Sequence, residues 1–408
     1  MNLQTPYPHP APALSGPVGL IADDAQALDV AHALARDFAA EASLRDRERR
    51  LPWDELDRYS RSGLWGITVP KEYGGAGVSS VTLAEVIAII SAADGSLGQI
   101  PQNHFYALEA LRVGGSASQH RAFYQLALAG QRFGNALAEI GHKDFKRRTR
   151  ITPCVGQSYQ LDGRKFYCTG ALYAHWIPTL ASTADGITFL VFVPRTAPGV
   201  SITDDWDGFG QRVSGSGSVS FDSVHIEAGW VVPFQASFEH PTTIGPFAQL
   251  MHAAIDHGIA EGAYAAALPF IRDHARPWID AGVDRAADDP LTLERLGELR
   301  VRLRASHALL RRAGRVVDAA QREPDAQSVA EASVAVAEAR VLSTEISLKA
   351  GSRLFELAGT ASTLAEHNLD RYWRNARTHT LHDPVRWKFH AIGNYYLNRK
   401  LPPRHGAL

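Results

Sequence analysis

The sequence predicts an α+β protein in which a helical region, an antiparallel β region and a second helical region follow one another along the chain. Apolar residues recur at helical spacing in the first and last parts, whereas short β-branched and aromatic runs fill the middle. Strands and helices do not alternate, and no Gly-x-Gly-x-x-Gly sequence follows a predicted strand. This order argues against a Rossmann dinucleotide-binding domain.

Length and composition fit a protein of several domains that acts on a small molecule. The chain has 408 residues, more than the ~250 at which one hydrophobic core usually stops growing. Its 42 basic and 43 acidic side chains nearly balance, so charge indicates neither nucleic acid nor an anionic membrane as a partner. Two cysteines suit a reducing, cytoplasmic compartment, and no apolar run reaches the ~20 residues that span a bilayer.

The first part of the chain is predicted to be a loose tail followed by helices. Residues 1–16 are rich in proline and lack the pattern of a signal peptide, so they are interpreted as a flexible tail. Residues 17–130 are predicted to form a helical domain, and the glycine-rich stretch 73–77 is a turn within it. Its apolar stripe includes Leu83, Val86, Ile87 and Ile90.

The rest of the chain is predicted to form a β domain and a second helical domain. Residues 131–238 contain strand patterns over 188–193 and 219–226, a turn at 215–219, and a basic run at 143–150 that is interpreted as a solvated loop. Residues 239–408 contain an alanine-rich stretch, 329–358, and a leucine stripe. The stripe consists of Leu296, Leu299, Leu303 and Leu310. These helices are expected to pack on one another and on a second subunit.

Three motifs carry a resemblance to the acyl-CoA dehydrogenase superfamily: residues 63–75, 163–170 and 374–377. Residues 101–105 and 378–385 are similar to the flavin-dependent monooxygenase branch that includes dibenzothiophene monooxygenase, and within it to the sulfur-acquisition oxidoreductase family. The resemblance implies an N-terminal helical domain, a middle antiparallel β domain and a C-terminal four-helix bundle. It also implies that the protein forms a homo-oligomer, namely a tetramer.

The resemblance also implies a flavin site. Thr169 matches a threonine whose hydroxyl lies beside the flavin, and Tyr167 takes the place of an aromatic residue that contacts it. Both could instead be ordinary strand residues on one face of a sheet. Phe133, Asn135 and Ala136 occupy the strand that presents backbone and side-chain groups to the ring. Trp206 is a candidate for one wall of the flavin pocket. Alternatively, its side chain only packs against neighbouring residues.

Two further positions match residues that reach the far end of the cofactor. Arg276 matches an arginine that binds the cofactor phosphate, commonly across a subunit boundary, although it could be a surface charge. Gly359 matches one glycine of a loop near the adenosine half of FAD, but Phe355 replaces the usual glutamine. The departure of this loop from the family pattern favours reduced FMN as the cofactor and leaves FAD possible.

The C-terminal motif decides between two chemistries. Alignment of residues 374–377 brings Asp383 onto the glutamate base of the dehydrogenases, but this side chain is shorter and a proline follows it. Histidines suit oxygenation, because an imidazole near its unperturbed pKa of about 6.5 can donate or accept a proton beside the reacting oxygen. In the monooxygenase branch, His104 and His382 are the best matches for these roles, and His379 is the reserve candidate. No metal is expected, since no third ligand accompanies the two C-terminal histidines.

The favoured hypothesis is a two-component monooxygenase that receives reduced FMN from a separate NAD(P)H-dependent flavin reductase. It would use oxygen, and Thr169, His104 and His382, to oxygenate a small organosulfur compound. One alternative is an FAD-dependent acyl-CoA dehydrogenase with Asp383 as base. The other is a flavin-binding protein without turnover.

Overall fold

The computed structural model describes residues 16–141 and 146–407. The predicted tail therefore lies outside the described residues apart from Gly16, as do residues 143–145 of the basic run. Among the described residues, no helix combines the length and the hydropathy that crossing a bilayer requires. The order of helices, sheet and helices confirms the predicted fold class.

The N-terminal region contains five α-helices within the described residues. They are α1 Asp24–Glu48, α2 Trp53–Arg61, α3 Ser80–Ala93, α4 Gly95–Gly114 and α5 Ala117–Leu128. Asp94 separates α3 from α4, and its carboxylate caps α4 by accepting hydrogen bonds from the backbone N–H groups of Ser96 and Leu97. The buried guanidinium of Arg45 donates to the same carboxylate at 2.9 Å and to Glu55 at 2.9 Å. This cluster fixes α4, which forms one wall of the cavity described below.

The middle region is a seven-stranded sheet with the order β5-β6-β2-β1-β3-β4-β7. The strands are β1 Arg150–Cys154, β2 Ser158–Lys165, β3 Trp176–Ser182, β4 Thr188–Pro194, β5 Val200–Thr203, β6 Ser218–Glu227 and β7 Val231–Pro233. Every strand pair is antiparallel except β1 and β3, which are parallel. The sheet is thus mixed, with one parallel pair in the predicted antiparallel domain.

The parallel pair has a simple topological cause. Strand β2 runs antiparallel to β1, so it ends where β1 begins, and on the other side of β1 the last residue of β3, Ser182, pairs with the first residue of β1, Arg150. The connection between β2 and β3, residues 166–175, must therefore cross that end of the sheet. Residues 133–136 lie beside it and form isolated bridges to β3 rather than a regular strand.

In the part of the C-terminal region that the structure describes, there are three long α-helices and two shorter ones. They are α6 Ile244–Asp273, α7 Pro290–Arg322, α8 Ala326–Ala358, α9 Asp370–His379 and α10 Arg386–Asn398. In the predicted leucine stripe, Leu299, Leu303 and Leu310 are buried, as are most alanines of α8. Helix α6 packs against α3, α4 and α8, so its first half is buried on all sides. Polar side chains on that half lie in the centre of the molecule.

Candidate active site

A cavity of about 780 Å³ lies where the three regions meet. Its walls come from α4, residues 135–138, the connection that carries Tyr167 and Thr169, residues 206–211, α6, and the segment that follows α9. Residues 406 and 407 close one side. The volume lies within the ~300–1,000 Å³ typical of small-molecule sites. The cavity therefore brings together residues that are more than 200 positions apart in the sequence.

The sheet side of the cavity presents hydroxyl groups and aromatic rings. The hydroxyl of Thr169 lies 2.8 Å from that of Ser216, which lies 2.7 Å from that of Ser214. The backbone of Tyr167 has a positive φ of 55°, and its ring meets the edge of Trp206 at a centroid distance of 6.1 Å. The structure thus brings Tyr167, Thr169 and Trp206 together around one cavity.

The motif at residues 374–377 holds a loop of the cavity wall in place. Arg374 forms an ion pair with Asp46 at 2.6 Å and donates to the carbonyl of Phe209 at 2.9 Å. Asn375 accepts a hydrogen bond from the backbone N–H of Gln211 at 2.7 Å. Between these contacts only glycine fits at position 210, because a Cβ there would lie 2.0 Å from the carbonyl oxygen of Arg374. The motif is a clamp that joins α1, α9 and the loop.

The helix α4 contributes amide side chains. Asn135 donates from Nδ2 to Oδ1 of Asn103 at 2.8 Å, and its own Oδ1 accepts from the backbone N–H of Leu137 at 2.9 Å. Gln99 lines the same wall, and its buried Oε1 atom has no hydrogen-bond partner among the described residues. The buried hydroxyl of Thr378, on the opposite wall, also lacks one.

The cavity fits the chemistry of a flavin. Three large apolar side chains in its lining remain exposed to solvent, Tyr167 by 56%, Phe209 by 51% and Leu381 by 66%. A planar ring system would cover such side chains, and its polar edge would satisfy buried groups such as Gln99 Oε1. The residues present therefore suit an isoalloxazine ring with a polar edge.

The segment after α9 provides a histidine–carboxylate pair. Asp383 is buried, and its Oδ2 accepts hydrogen bonds from Nδ1 of His382 at 3.1 Å and from Nε2 of Gln249 at 2.9 Å. Burial alone would raise the pKa of Asp383, but the hydrogen bond and charge of His382, the charge of Lys388 and the Gln249 bond outweigh it. The pKa lies below its usual range, so Asp383 is a weak base.

A second group of histidines, His252 and His379, adjoins this pair and also lines the cavity. Asp256 and His379, both fully buried, are joined by a 2.5 Å contact between Oδ1 and Nδ1. Nε2 of His379 lies 3.0 Å from Nδ1 of His252, whose ring stands 4.0 Å from the ring of His382. On its other oxygen, Asp256 is bound by Arg340 and by the hydroxyl of Thr344. The sequence reserved His379 as a candidate but gave no indication of His252 or Asp256.

The structure gives both ring nitrogens of His104 a backbone partner. Its Nε2 donates to the carbonyl of Trp65 at 2.8 Å, and its Nδ1 accepts from the N–H of Phe133 at 3.1 Å. Burial lowers the pKa of His104 to about 3, so the ring is neutral and has no free nitrogen. It lies outside the cavity lining, and this geometry supports a packing role instead of proton transfer.

Four other predicted cofactor residues also lie outside the cavity lining. Phe133 and Ala136 are buried beside β3, where their backbone groups take part in the bridges to that strand. Arg276 is exposed after α6, and Gly359 is exposed at the end of α8. Within one chain, Arg276 and Gly359 therefore lie apart from the predicted cofactor residues that line the cavity. In contrast, Arg147, from the run interpreted as a solvated loop, does line the cavity.

Three groups in the cavity wall could share a cation. His252, His382 and Asp383 each bring one possible ligand atom to within 4.8 Å of the others. The sequence indicated no third ligand for the C-terminal histidines, and His252 on α6 is the group that it did not reveal. Because His382 and Asp383 already form a hydrogen bond with each other, we interpret the cluster as a polar wall whose groups can accept and donate protons.

Together, the two helical regions, the sheet between them and the cavity at their junction define an acyl-CoA dehydrogenase-like flavoprotein fold. Residues 22–131 match the acyl-CoA dehydrogenase N-terminal domain, and residues 250–387 match the acyl-CoA dehydrogenase C-terminal domain. The chain is 34% identical over 397 residues to dibenzothiophene monooxygenase of Rhodococcus erythropolis, covering 93% of this chain and 95% of the relative.

Solved structures give the same result. FMN-bound TdsC from Paenibacillus sp. A11-2 matches with a TM-score of 0.90 and 32% identity, over 94% of this chain and 100% of that chain. Methanesulfinate monooxygenase MsuC from Pseudomonas fluorescens matches with a TM-score of 0.86 and 31% identity, over 92% of this chain and 98% of that chain. The chain belongs to the acyl-CoA dehydrogenase family, in its branch of flavin-dependent monooxygenases.

Proposed function

We propose that the protein is an FMN-dependent monooxygenase that oxygenates a small organosulfur compound for sulfur acquisition. The observation that carries this proposal is the cavity with hydroxyl and aromatic groups on its sheet side and histidines on its helical side. Its relatives with similar sequences along nearly the whole chain act on dibenzothiophene or methanesulfinate, or bind FMN. Reduced FMN would come from a separate NAD(P)H-dependent flavin reductase.

The sheet side would hold the flavin ring. Tyr167 and Trp206 offer apolar contact, while Thr169, with its partner Ser216, offers a hydroxyl group to the polar edge of the ring. Asn135 has one amide hydrogen beyond the bond that it donates to Asn103. Tyr167 and Thr169 lie on the connection between β2 and β3, so the sheet fixes their spacing.

The helical side would handle the proton transfers of the reaction. Reduced flavin, when bound, supplies the electrons with which molecular oxygen is split, so that one atom joins the sulfur and the other leaves as water. His382 lines the cavity with its Nδ1 held by Asp383, which orients the imidazole. His252 stands against it from α6. These groups can donate or accept protons beside a bound substrate.

The alternative of an acyl-CoA dehydrogenase finds less support in the site. Removal of an α proton from a thioester needs a carboxylate whose pKa is raised towards the working pH. The surroundings of Asp383 lower its pKa instead, and its Oδ2 already accepts two hydrogen bonds. We therefore assign Asp383 an orienting role towards His382.

A reductase-coupled assay under ¹⁸O₂ tests the proposed function. The protein, FMN, NADH and an NADH-dependent flavin reductase are incubated with a panel of thioethers, aromatic thiophenes and alkanesulfinates. Mass spectrometry should show one ¹⁸O atom in the product and the other in water. Anaerobic reduction of bound FAD by an acyl-CoA, together with no ¹⁸O in any sulfur product, would contradict the proposal. Flavin binding without either reaction would favour a non-catalytic protein.

The proposed assembly is a homotetramer in which Arg276 reaches the cofactor phosphate of another subunit. Helix α10 and its C-terminal extension carry large apolar side chains that are exposed in one chain, which supports burial between subunits. They include Trp387, Phe389, Tyr396, Leu397 and Leu401. Sedimentation should show four chains, and Arg276→Ala should weaken FMN binding, whereas Arg285→Ala, which loses only an exposed pair with Asp288, should not.

A cytoplasmic location is also part of the proposal. Both cysteines are free thiols in the structure, Cys154 exposed and Cys168 buried. A thiol exposed at the surface suits a reducing compartment. Fractionation of cells that produce the protein should recover it with soluble cytoplasmic markers, and recovery from an oxidising compartment would contradict this location.

A further inference from the structure

Two hydrogen bonds join Asp256 to His379 and His379 to His252. The chemistry of the three side chains decides which atom donates in each bond. An ionised carboxylate only accepts hydrogen bonds, so the 2.5 Å contact with Asp256 requires a proton on Nδ1 of His379. Arg340 and Thr344 bind the other oxygen of Asp256 and keep this carboxylate ionised. Burial would raise the pKa of Asp256, but Arg340 and His379 lower it below its ordinary value.

The protonation of His379 then decides that of His252. With Nδ1 protonated and the ring neutral, Nε2 of His379 can only accept a hydrogen bond, so Nδ1 of His252 must donate across the 3.0 Å contact. Burial lowers the pKa of both histidines, which keeps the rings neutral. Nε2 of His252 therefore carries a lone pair. It has no hydrogen-bond partner among the described residues, and His252 lines the cavity.

We propose that Asp256 and His379 are positioning residues that hold His252 with its Nε2 lone pair towards the cavity, where His252 accepts the proton carried by the oxygen atom that joins the sulfur and returns it to the oxygen atom that leaves as water. This inference rests on the proposed function and deepens it. A proton taken up at Nε2 leaves His252 able to pass its Nδ1 proton to His379, which brings the positive charge beside Asp256. The charged and titratable groups that face His252 are Arg340, Lys388, His379, His382 and Asp383.

The variant Asp256→Asn should reverse the direction of both hydrogen bonds, the one between residue 256 and His379 and the one between His379 and His252. Arg340 can only donate, so the amide oxygen of an asparagine would turn towards Arg340 and its NH₂ group towards His379. Nδ1 of His379 would then accept, its Nε2 would donate to Nδ1 of His252, and Nε2 of His252 would carry a proton. We expect kcat to fall about 10²- to 10⁴-fold, the range in which a misplaced tautomer or a lost general base acts.

The tautomer itself can be measured without turnover. In protein labelled with ¹⁵N-histidine, the resonances of His252 are assigned by their loss in His252→Gln, and bare and protonated ring nitrogens have separate ¹⁵N shifts. We expect a bare Nε2 in the wild type and a protonated one in Asp256→Asn. Affinity for FMN, measured by fluorescence, should change less than about threefold, since one misplaced proton on this wall removes no flavin contact.

A matched variant separates this role from a structural one. His257→Asn alters a buried histidine on the same helix that faces away from the cavity. This variant should keep the wild-type tautomer of His252 and most of kcat. A protonated Nε2 of His252 in the wild type, or full kcat in His252→Gln, would overturn the proposal even if Asp256→Asn does not fold. If the wild type oxygenates no sulfur compound, the proposed function fails, whereas the tautomer measurement still decides the arrangement.

Discussion

Two walls around the cavity each contain a fully buried histidine, and the two side chains have opposite properties. On the α4 side, both nitrogens of His104 are bonded, to the carbonyl of Trp65 and the N–H of Phe133. On the α6 side, one nitrogen of His252 is held by His379, and the other has no partner among the described residues. Burial lowers the pKa of both. A buried histidine is thus available for chemistry only when its surroundings leave one nitrogen free.

The largest expected difference between the walls is in turnover. His252→Gln removes the proton acceptor but keeps a polar side chain of similar length, so kcat should fall by roughly 10² or more. His104→Gln should keep kcat within about tenfold, because that ring makes no contact with the cavity. The reductase-coupled assay measures both. Equal losses of kcat in the two variants, at equal stability, would remove the contrast between the walls.

The next effect concerns the stability of the α6 wall. Asp256 is fully buried with Arg340, and loss of one partner leaves a buried charge without compensation. Arg340→Met should therefore lower the free energy of unfolding by about 3–5 kcal/mol. Arg312→Met, which breaks a partly exposed pair with Glu338, should cost about 1 kcal/mol or less. Urea unfolding curves of the two variants provide the measurement, and similar costs would show that Asp256 is solvated.

The α4 wall should lose stability through unsatisfied backbone groups. His104→Leu leaves the N–H of Phe133 and the carbonyl of Trp65 buried without their partner. We expect a loss of about 1–3 kcal/mol for each group left unpaired. Thermal unfolding followed by circular dichroism tests this expectation. An unchanged midpoint would mean that the two groups find other partners.

A smaller effect is expected on the sheet side, in flavin binding. Thr169→Val removes the hydroxyl that bonds to Ser216 and faces the cavity, so FMN affinity should fall by roughly tenfold, equivalent to about one hydrogen bond. Thr179→Val is the control, because that hydroxyl bonds within β3 and lies outside the cavity lining. If both variants bind FMN as the wild type does, Thr169 does not contact the flavin.

The smallest expected effect is the pH dependence of stability that comes from Asp383. The pKa of Asp383 is lower in the folded protein than the unfolded value of about 3.9, so its contribution to stability is present above that pH and is lost as pH falls through the folded pKa. The stability difference between wild type and Asp383→Asn should be constant near neutral pH and shrink below about pH 4. A difference that grows on acidification would contradict the low pKa.

The sequence predicted the fold better than it predicted the site. Periodicity predicted the order of helices, sheet and helices. The assignment of Tyr167 and Thr169, which lie on one connection, to a flavin site came from the family resemblance. The parallel pairing of β1 with β3 escaped prediction because it depends on which side of β1 the chain crosses. Register between distant segments leaves no local pattern.

The helical side shows where prediction from sequence stops. His379 and His382 were visible as part of a motif. Asp256 and His252 lie on the first half of α6, which is buried on all sides, so no amphipathic pattern marks the face they share. His104 was predicted to be catalytic from a motif match, whereas the two backbone groups that occupy its nitrogens come from Trp65 and Phe133, on separate segments. Only the folded chain reveals such partners.

The most direct test of the account is the position of bound FMN in a crystal structure of the protein. We predict that the isoalloxazine ring lies in the cavity, against Tyr167 and Trp206, with Thr169 in hydrogen-bond reach of its polar edge and the ring facing His252 and His382. A flavin bound elsewhere, or in this cavity with Thr169 and both histidines out of reach, would contradict the account.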